Sequence, residues 1–557
     1  MAATDLKVEA PPKPELGDLA VGCFAIAKAA GKNPAQVAQE LAGKLDVLRI
    51  PGGLLASATA AGPFINFKVD RARAFAWIVD AALRERLVPP DYGTNQTICI
   101  DYSSPNISKH LAYHHLRGTT LGHALAQIYR ALGYRVVGIN FLGDWGTTHG
   151  MLIAAWKKWG PIEPLDVAGL NGLYVRFRAA MAEDPTLEAE GRAWFKRLED
   201  GDPEARALWQ RFRDISWAEF AAVYDILGID FEEVRGESAY EPALPGVIKQ
   251  LEDKSLLVES EGARVVVLEG EKTPILIVKQ DGSTLYATRD IAAAEYRWST
   301  FHFTRSLYVV GREQALHFRQ LFKLLAKMGH EWAARCQHIP YGHVRIGGKK
   351  TATRLGNVVL MKQVFEIAQD EVRPRIVEKN PERSAAEVDE VARQVGIGAV
   401  VFGNLASQRE KDVDFDLEKV TSTQGDSGPY LQYVHARCSS ILRKAPHKID
   451  GAEALADVDF ALLTHEAEWA VARRLLEMPE IVVRAGDNAE PHAVCHYLLQ
   501  LAGDYSRWYT LGNDDPALRS IVDDPALSRA RLALTAGVRA AMATGLRLIG
   551  IAAPDWM

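Results

Sequence analysis

Cationic and imidazole side chains cluster in one short stretch of the sequence, at the start of a predicted helix. They are Lys109, His110, His114, His115 and Arg117. Backbone N–H groups and the dipole at a helix N-terminus favour a bound anion. Cationic side chains added there suit a polyphosphate whose charge shifts during a reaction. The stretch therefore predicts a phosphate-binding site; the alternative is a surface loop whose histidines only cap and solvate the helix.

A second cluster, Gly143–Thr147, directly follows the next predicted strand. Its glycines allow a close backbone approach and positive φ angles. Asp144 can accept a hydrogen bond from a ribose or an amine. A tight turn around a packed Trp145 is an equally open interpretation.

A third cluster pairs an aromatic hydroxyl with a carboxylate. Tyr286 and Asp290 are four residues apart on a predicted helix, and Gln314 follows later in the segment Gly-Arg-Glu-Gln. Residues at this spacing lie one above the other on a helix, and a carboxylate can bind guanidinium through two hydrogen bonds. The pair predicts a site for a planar cation, unless Asp290 instead pairs with Arg289 or Arg297.

The fourth cluster is the glycine-rich, basic segment Gly347–Asn357, which contains Lys349, Lys350 and Arg354. Segments of this kind can close over a phosphate. The spacing differs from that of a Walker P-loop, and many basic loops are simply solvated.

The elements around the first two clusters predict a βαβ unit. Thr97–Tyr102 is typical of a buried strand, Ser103–Lys109 of a loop, and Tyr113–Leu132 of a helix that ends at Gly133. A further strand is predicted for Tyr134–Ile139. This order opens a doubly wound nucleotide-binding sheet, in which ligands bind beyond the carboxyl ends of the strands.

The rest of the chain predicts two flanking domains. Asn33–Leu48 indicates an amphipathic helix and Pro63–Val69 a half-buried strand, whereas repeated amphipathic stretches and no clear strand follow Pro374. We therefore expect a small α/β N-terminal domain at 1–92. A Rossmann-like catalytic domain is expected at 93–372, with a helical insertion at about 160–262, and an all-helical domain at 373–557.

Composition narrows the class of protein. The five cysteines among 557 residues have no C-x-x-C spacing, which argues against a disulfide framework and a structural zinc site. No apolar run reaches the roughly 18 residues of a membrane span, and we expect a cytoplasmic protein without a membrane partner. A net charge of −6 neither supports nor excludes a nucleic-acid partner.

Taken together and in order, the clusters resemble the class I aminoacyl-tRNA synthetases, and specifically the arginyl-tRNA synthetase family. The similar segments run over nearly the whole chain. They are Gly17–Ala20, Gly62–Phe67, Ser104–Lys109 with His115–Arg117, Gly138–Gly146, Tyr286–Asp290, Gln314–Phe318, Gly428–Arg437 and Gly545–Met557.

The resemblance implies a role for each matching residue. Arginine would be bound by Asp101, Asn106, Tyr286, Asp290 and Gln314. ATP would be bound by Ser103, Lys109, His115, Gly143, Asp144 and Lys350. The catalytic groups would be Lys109, His114, His115, Lys350 and Arg354. The tRNA elbow would meet Phe64 and Asn66, and the anticodon loop would meet Tyr509 and Met557.

The implied activity is ATP-dependent ligation of L-arginine to arginine tRNA through an arginyl-adenylate, for translation. Mg²⁺ would accompany the ATP, with no structural metal, and the protein would act as a monomer that binds tRNA but not DNA. We also expect arginine activation to be weak until tRNA is bound.

The chain departs from the family at two motifs. Ala112 replaces the first histidine of the His-x-Gly-His motif, and His114 replaces its glycine. Thr353 stands where the later KMSKS-like loop has its second lysine. The first departure motivates an alternative, a non-catalytic or regulatory tRNA-binding paralogue. A second alternative is an enzyme that activates arginine and passes it to an acceptor other than tRNA.

Overall fold

The computed structural model describes residues 6–9, 11–45, 52–280, 286–346 and 359–557. Contacts between residues divide the chain into two units. One comprises Met1–Leu87, Arg437–Met478 and Gln500–Ala541, and the other comprises Val88–Ala436, Pro479–Leu499 and Met542–Met557. Each unit thus joins segments that are distant in the sequence.

The α-helices are numbered in chain order. They are α1 (Phe24–Ala30), α2 (Pro34–Ala42), α3 (Arg71–Leu83), α4 (Leu116–Ala131), α5 (Thr147–Trp159), α6 (Val167–Glu183), α7 (Thr186–Glu199), α8 (Pro203–Leu227), α9 (Leu244–Asp253), α10 (Tyr286–Phe301), α11 (Ala315–Lys327), α12 (Met361–Lys379), α13 (Ala385–Leu405), α14 (Leu417–Val420), α15 (Gly428–Lys444), α16 (Glu466–Asp487), α17 (His492–Asp514) and α18 (Pro525–Leu548).

The strands are numbered in the same way. They are β1 (Val8–Glu9), β2 (Leu19–Gly22), β3 (Leu55–Ala61), β4 (Phe64–Val69), β5 (Thr97–Asp101), β6 (Arg135–Asn140), β7 (Glu233–Val234), β8 (Val258–Ser260), β9 (Ala263–Val266), β10 (Ile275–Val278), β11 (Arg305–Gly311), β12 (Cys336–Tyr341), β13 (Val344–Ile346) and β14 (Val413–Phe415).

The central sheet has five parallel strands in the order β12-β11-β5-β6-β7. Counted in chain order within this sheet, the strands lie as 5-4-1-2-3, which is the doubly wound order. The expected Rossmann-like fold is therefore confirmed. The strand order reverses between β5 and β11, so the ligand crevice of such a sheet opens where these two strands end.

The predicted βαβ unit is confirmed. β5 is buried from Ile98 onward, and α4 follows a single 3₁₀ turn at Tyr113–His115. Gly133 ends the helix with a φ of 83°. A Cβ at that position would lie 1.9 Å from the carbonyl oxygen of Pro90, so only glycine fits this return of the chain.

The segment at about 160–262, expected to be a helical insertion, contains α6, α7, α8 and α9. It also contains β7, which pairs with Ile139 and Asn140 and completes the central sheet, and β8, which pairs with β9. These strands have two and three residues, too few for an alternating pattern to reveal them.

The N-terminal residues form the expected small α/β arrangement. An antiparallel sheet in the order β1-β2-β4-β3 packs against α1 and α2. The side chain of Asn33 caps α2 by accepting from the N–H of Ala35, and Pro34 occupies the first helical position. The core there includes Cys23, Val37 and Ile65.

The described elements from Gly428 onward are all helical, and the helical C-terminal domain is confirmed. One detail differs, because β14 lies within the range 373–557 and pairs in parallel with β13. Val413 and Phe415 are buried while Asp414 between them is exposed. This alternation marks a strand, but three residues are too few to distinguish it from a loop in the sequence.

All five cysteines are free and buried. Within the described residues, no helix is both long and apolar enough to cross a membrane. The same residues contain no group of three or more His, Cys, Asp or Glu side chains placed to hold a metal ion.

Candidate active site

The loop after β5 lies at the reversal point of the sheet and is fixed by hydroxyl groups. The Ser103 hydroxyl lies 2.8 Å from both the Thr119 hydroxyl on α4 and the Tyr224 hydroxyl on α8. Ser103 and Ser108 have φ angles of 70° and 63°, a conformation that non-glycine residues adopt only where the surroundings impose it. The loop is thus held in one shape by its neighbours.

Asn106 and Gly143 bring the first two sequence clusters together. The Gly143 N–H donates to the carbonyl of Pro105 at 3.0 Å, and the Ile107 N–H donates to the carbonyl of Gly143 at 3.2 Å. A Cβ on Gly143 would lie 1.9 Å from Oδ1 of Asn106. Gly143 therefore allows the exposed Asn106 side chain to lie directly over it.

His114 and His115 form a tilted ring pair near the exposed Lys109. Their ring centroids are 4.0 Å apart, and Nδ1 of His115 lies 3.2 Å from the carbonyl oxygen of Ala112. A carbonyl can only accept, so Nδ1 carries the proton. Burial, aided by the charges of His114 and Lys109, lowers the pKa of His115 to about 4. The imidazole of His115 is therefore neutral at pH 7, and Nε2 holds a lone pair.

Two other members of the predicted phosphate cluster have structural partners. Arg117 is fully buried. Its guanidinium donates to the carbonyls of Gln408, Arg409 and Lys411 at 2.8, 2.9 and 3.1 Å. The inclusion of Arg117 in an accessible phosphate site was therefore wrong. His110 lies 2.9 Å from a carboxylate oxygen of Glu219.

The chain on either side of Ala112 pairs with the start of α12. The Tyr113 N–H donates to the carbonyl of Val359 at 2.8 Å, and the Met361 N–H donates to the carbonyl of Leu111 at 3.0 Å. The basic segment that precedes Val359, with Lys350 and Arg354, lies outside the described residues.

Asp101 forms a buried ion pair at the end of β5. It is 5% exposed, and Oδ2 accepts from the guanidinium of Arg297 at 2.6 Å. Its other oxygen accepts from the Ser104 hydroxyl at 2.7 Å. Both carboxylate oxygens thus have partners within the protein.

Asp144 is likewise occupied by neighbours. Its carboxylate accepts from the N–H and the hydroxyl of Ser238 at 2.9 and 2.8 Å, and from Nε of Arg213 at 3.3 Å. Burial raises the pKa of Asp144 despite these donors. The side chain fixes the turn at Ser238, which begins near the end of β7.

The third cluster is assembled as the spacing predicts. Tyr286 is the first residue of α10 and is 59% exposed, and Asp290 lies one turn later. Oδ2 of Asp290 lies 2.7 Å from Nε2 of His317 on α11. Gln314 is exposed immediately before α11.

The alternative partners of Asp290 lie elsewhere. Arg289 donates to Glu241 at 2.6 Å, and Arg297 pairs with Asp101. The interpretation in which Asp290 pairs with either arginine was therefore wrong.

Glu237 is a candidate site residue that the sequence analysis missed. It begins the 3₁₀ helix Glu237–Ala243, and its N–H donates to the carbonyl of Leu142 at 3.0 Å. Burial, together with the carboxylates of Asp290, Asp144 and Glu241 and against the opposing charge of Arg289, raises the pKa of Glu237 to about 7. The sequence feature that could have identified Glu237 is its position just after β7. That strand is too short to recognise from the sequence.

The carboxylates around the crevice differ in whether an arginine or lysine lies within ion-pair distance. Three have an arginine within ion-pair distance: Asp101 has Arg297, Asp144 has Arg213 and Glu241 has Arg289. Among the described residues, neither Glu237 nor Asp290 has a lysine or arginine so placed. Glu237 and Asp290 can therefore take a lysine-like or arginine-like cation that a ligand supplies, with Asp290 keeping its contact to His317.

The predicted tRNA-binding residues differ in accessibility. Phe64 is half-buried, and its ring packs edge-on against that of Phe24, 5.6 Å away and 54% exposed. Asn66 is only 3% exposed in the middle of its sheet, so its side chain cannot reach an RNA without rearrangement. Phe24 is the exposed aromatic that the sequence analysis did not select.

Tyr509 and Met557 lie in two different environments. The guanidinium of Arg437 lies 4.4 Å above the ring of Tyr509, which also borders a cavity of about 220 Å³ with Trp508 and Ile521. Met557 packs with Trp556 against an apolar cluster that includes Val372 and Ile376.

Three family models match the chain. The model for the catalytic domain of class I tRNA synthetases (R) matches residues 78–417. The DALR anticodon binding domain matches residues 431–557, and the arginyl tRNA synthetase N-terminal domain matches residues 2–69.

The chain is similar over its length to known ligases. It is 43% identical to the arginine–tRNA ligase of an Exiguobacterium species, with 99% of this chain and 95% of that protein covered. It is 42% identical to the arginine–tRNA ligase of Clostridium perfringens, with 98% and 94% covered. The solved structure of Thermus thermophilus arginyl-tRNA synthetase is 27% identical, covers 99% and 96% of the two chains, and superposes with a TM-score of 0.80.

Proposed function

The chain belongs to the arginyl-tRNA synthetase family, and on that premise we propose that it ligates L-arginine to arginine tRNA in an ATP-dependent reaction. The observation that carries the proposal is the pair of carboxylates, Glu237 and Asp290, that lack an arginine or lysine partner among the described residues. Tyr286 begins the helix that carries Asp290, and the coulombic effect of Asp290 on Glu237 shows that these two carboxylates lie near each other.

Arginine binds at the acidic side of this crevice. Its guanidinium lies between Glu237 and Asp290, and the Tyr286 hydroxyl borders it. Asn106 and Gln314 are exposed just beyond the ends of β5 and β11, and they bind the remaining polar groups of the amino acid. Asp101 contributes through its ion pair with Arg297, which keeps that buried cation from competing for the substrate carboxylate.

ATP binds at the basic side. Lys109, His114 and His115 bind its phosphates, and the same role is proposed for Lys350 and Arg354, which lie outside the described residues. Ser103, Gly143 and Asp144 form the wall of the site, where Asp144 acts through the turn at Ser238. Mg²⁺ accompanies the ATP phosphates and supplies additional positive charge.

The reaction needs positioning and charge stabilisation more than covalent chemistry. The arginine carboxylate attacks the α-phosphorus, and pyrophosphate leaves from the opposite side. A terminal ribose hydroxyl of the tRNA then attacks the carbonyl carbon of the adenylate, and AMP leaves. His115 is neutral with Nδ1 protonated and adds no charge to the site, so Lys109 provides the positive charge.

Aromatic and apolar side chains bind the tRNA elbow and the anticodon loop. Phe64 with Phe24 meets the elbow, Asn66 supports that surface from inside the sheet, and Tyr509 and Met557 meet the anticodon loop. Exposed aromatic rings can stack on unpaired bases. We further propose that the protein acts as a monomer in the cytoplasm, where tRNA charging serves translation.

The test is arginine-dependent ATP–pyrophosphate exchange, measured with and without arginine tRNA. We expect exchange that depends on arginine and is strong only when tRNA is present. Absence of exchange in folded protein that still binds tRNA would overturn the ligase and favour a non-catalytic tRNA-binding protein. Exchange without transfer of arginine to tRNA would point to another acceptor.

A matched pair of variants links the activity to the proposed pocket. Asp290→Asn should raise the KM for arginine by about 100-fold, because a charge-assisted contact contributes about 1.5–3 kcal/mol. Glu295→Gln removes a carboxylate five residues further along α10, where its partner is His330, and should leave the KM unchanged. Equal effects of the two changes would contradict the assignment of Asp290.

A further inference from the structure

We propose that His317 is a positioning residue that fixes the Asp290 carboxylate for guanidinium recognition and so strengthens arginine binding and its discrimination from neutral analogues. This inference rests on the proposed function, because it assigns the guanidinium to Asp290. In this role His317 contacts neither arginine nor ATP directly.

The geometry holds the Asp290 carboxylate in one orientation. Nε2 of His317 lies 2.7 Å from Oδ2 of Asp290, and the two side chains are 17% and 20% exposed. The imidazole donates its Nε2–H to the carboxylate, because a carboxylate oxygen accepts. The imidazole is held in turn by two aromatic rings, since it packs edge-on against Tyr286 at 5.2 Å and Phe318 at 5.3 Å.

This contact divides the two oxygens of the carboxylate between protein and ligand. Oδ2 is committed to His317, which leaves Oδ1 for the planar, directional N–H groups of guanidinium. An aspartate without such a partner rotates about its terminal torsion, whose energy minimum is broad. A fixed carboxylate loses less conformational entropy when the ligand binds, which is the general advantage of a preorganised site.

His317 also links the two proposed guanidinium contacts. It touches the carboxylate of Asp290 through a hydrogen bond and the ring of Tyr286 through its edge. Tyr286 is exposed at the first turn of α10 and has no other ring contact within the described residues. Loss of the imidazole would therefore release both side chains at once.

A second histidine–carboxylate pair serves as a built-in control. Nε2 of His330 lies 3.1 Å from Oε1 of Glu295, with 22% and 23% exposed side chains. Glu295 lies on α10, as Asp290 does, and His330 follows the end of α11, which carries His317. The His330 ring packs against Trp332 rather than Tyr286. A purely structural role for such pairs predicts similar consequences when either histidine is replaced.

The experiment compares wild type, His317→Leu, His317→Gln and His330→Leu. Arginine kinetics are measured by tRNA-supported exchange, and arginine affinity is measured by calorimetry. We expect His317→Leu to raise the KM and Kd for arginine by about tenfold, with kcat changed less than twofold. His317→Gln keeps an N–H donor at similar reach and should stay within about threefold of wild type.

Discrimination gives a second measurement. Citrulline replaces the guanidinium by a neutral urea, so its inhibition constant reports how well the site selects the cation. We expect the ratio of that constant to the KM for arginine to fall about tenfold in His317→Leu. His330→Leu should lower the melting temperature but leave the ratio and the arginine KM unchanged.

The measured arginine affinities either support or overturn the positioning role of His317. An arginine Kd in His317→Leu equal to that of wild type would overturn it, as would equal losses of affinity in His317→Leu and His330→Leu. Wild-type protein that binds arginine but shows no exchange would overturn the proposed function alone, because the Kd values still decide the role of His317. Wild-type protein that does not bind arginine would overturn both.

Discussion

The carboxylates that line the crevice differ in chemistry because of single neighbouring side chains. Asp101 forms an ion pair with the buried Arg297 at 2.6 Å. Glu237 has no such partner among the described residues, and burial and other carboxylates raise its pKa. Neither fact is visible in the sequence, because 196 residues separate Asp101 from Arg297. The spacing of Tyr286 and Asp290, by contrast, was sufficient to predict that they share one helix, since that relation is local.

The raised pKa of Glu237, about 7, makes arginine binding sensitive to pH. Below pH 7 the carboxyl is mostly neutral, and above it the group is ionised and attracts guanidinium. The KM for arginine should therefore fall as the pH rises from 6 to 8, by up to about tenfold. Arginine-dependent exchange across this range checks the prediction.

Glu237→Gln is the control for that profile. This variant should show a high KM at every pH, because the amide cannot ionise. A wild-type KM that does not change between pH 6 and 8, or a Gln variant with the same pH profile as wild type, would exclude Glu237 as the titrating contact.

The ion pair between Asp101 and Arg297 should contribute to stability mainly by avoiding an unpaired buried charge. Arg297→Met leaves the Asp101 carboxylate without its cation and should lower the free energy of unfolding by about 3–5 kcal/mol. The double variant Asp101→Leu with Arg297→Met should recover most of that loss. Urea denaturation of the three proteins measures both effects; a double variant no more stable than Arg297→Met would contradict this account.

At the scale of elements, the site depends on two loops that end adjacent strands. The long, regular elements β5, α4 and β6 were predictable because their burial patterns extend over many residues. β7 and β14 were not, because strands of two or three residues depend on partners supplied by the fold. Glu237 follows β7. Because β7 could not be predicted from the sequence, Glu237 could not be predicted as a site residue either.

The contact between the two loops predicts a specific effect at Gly143. In Gly143→Ala the new Cβ would lie 1.9 Å from Oδ1 of Asn106, so the Asn106 side chain must move. The KM for arginine should rise by about tenfold if Asn106 binds the substrate, because one polar contact is displaced. Arginine-dependent exchange measures this change.

Gly172→Ala provides the matched control within α6. No atom lies within 4 Å of a Cβ at Gly172, and alanine is preferred to glycine in a helix by about 1 kcal/mol. This variant should be slightly more stable and have an unchanged KM. A wild-type KM in Gly143→Ala would show that Asn106 does not contact arginine.

At the scale of the whole molecule, the two contact-based units do not follow the sequence order. The unit that holds the N-terminal residues also holds parts of the helical C-terminal region, and Arg71 pairs there with Glu466 at 2.5 Å while Trp469 donates to Asp18 at 3.3 Å. The boundaries at 92 and 372 stay a prediction. Sequence patterns locate changes of composition, but they do not show which distant segments pack together.

The reaction rates of the buried cysteines can show how often each of the two units opens. Cys23 and Cys438 belong to one unit, and Cys99, Cys336 and Cys495 belong to the other. Burial raises the pKa of Cys99, Cys336 and Cys438 to about 12, so at pH 8 these thiols react only when the surrounding structure opens.

Peptide mapping after timed exposure to an aromatic disulfide reagent would therefore report opening events within each unit. We expect labelling far slower than that of an exposed thiol, with the cysteines of one unit reacting at a shared rate. Rates equal to that of a free thiol would contradict the burial. The same labelling can be repeated in the presence of arginine or of tRNA. A slower labelling rate in one unit would show that the substrate protects that unit against transient unfolding.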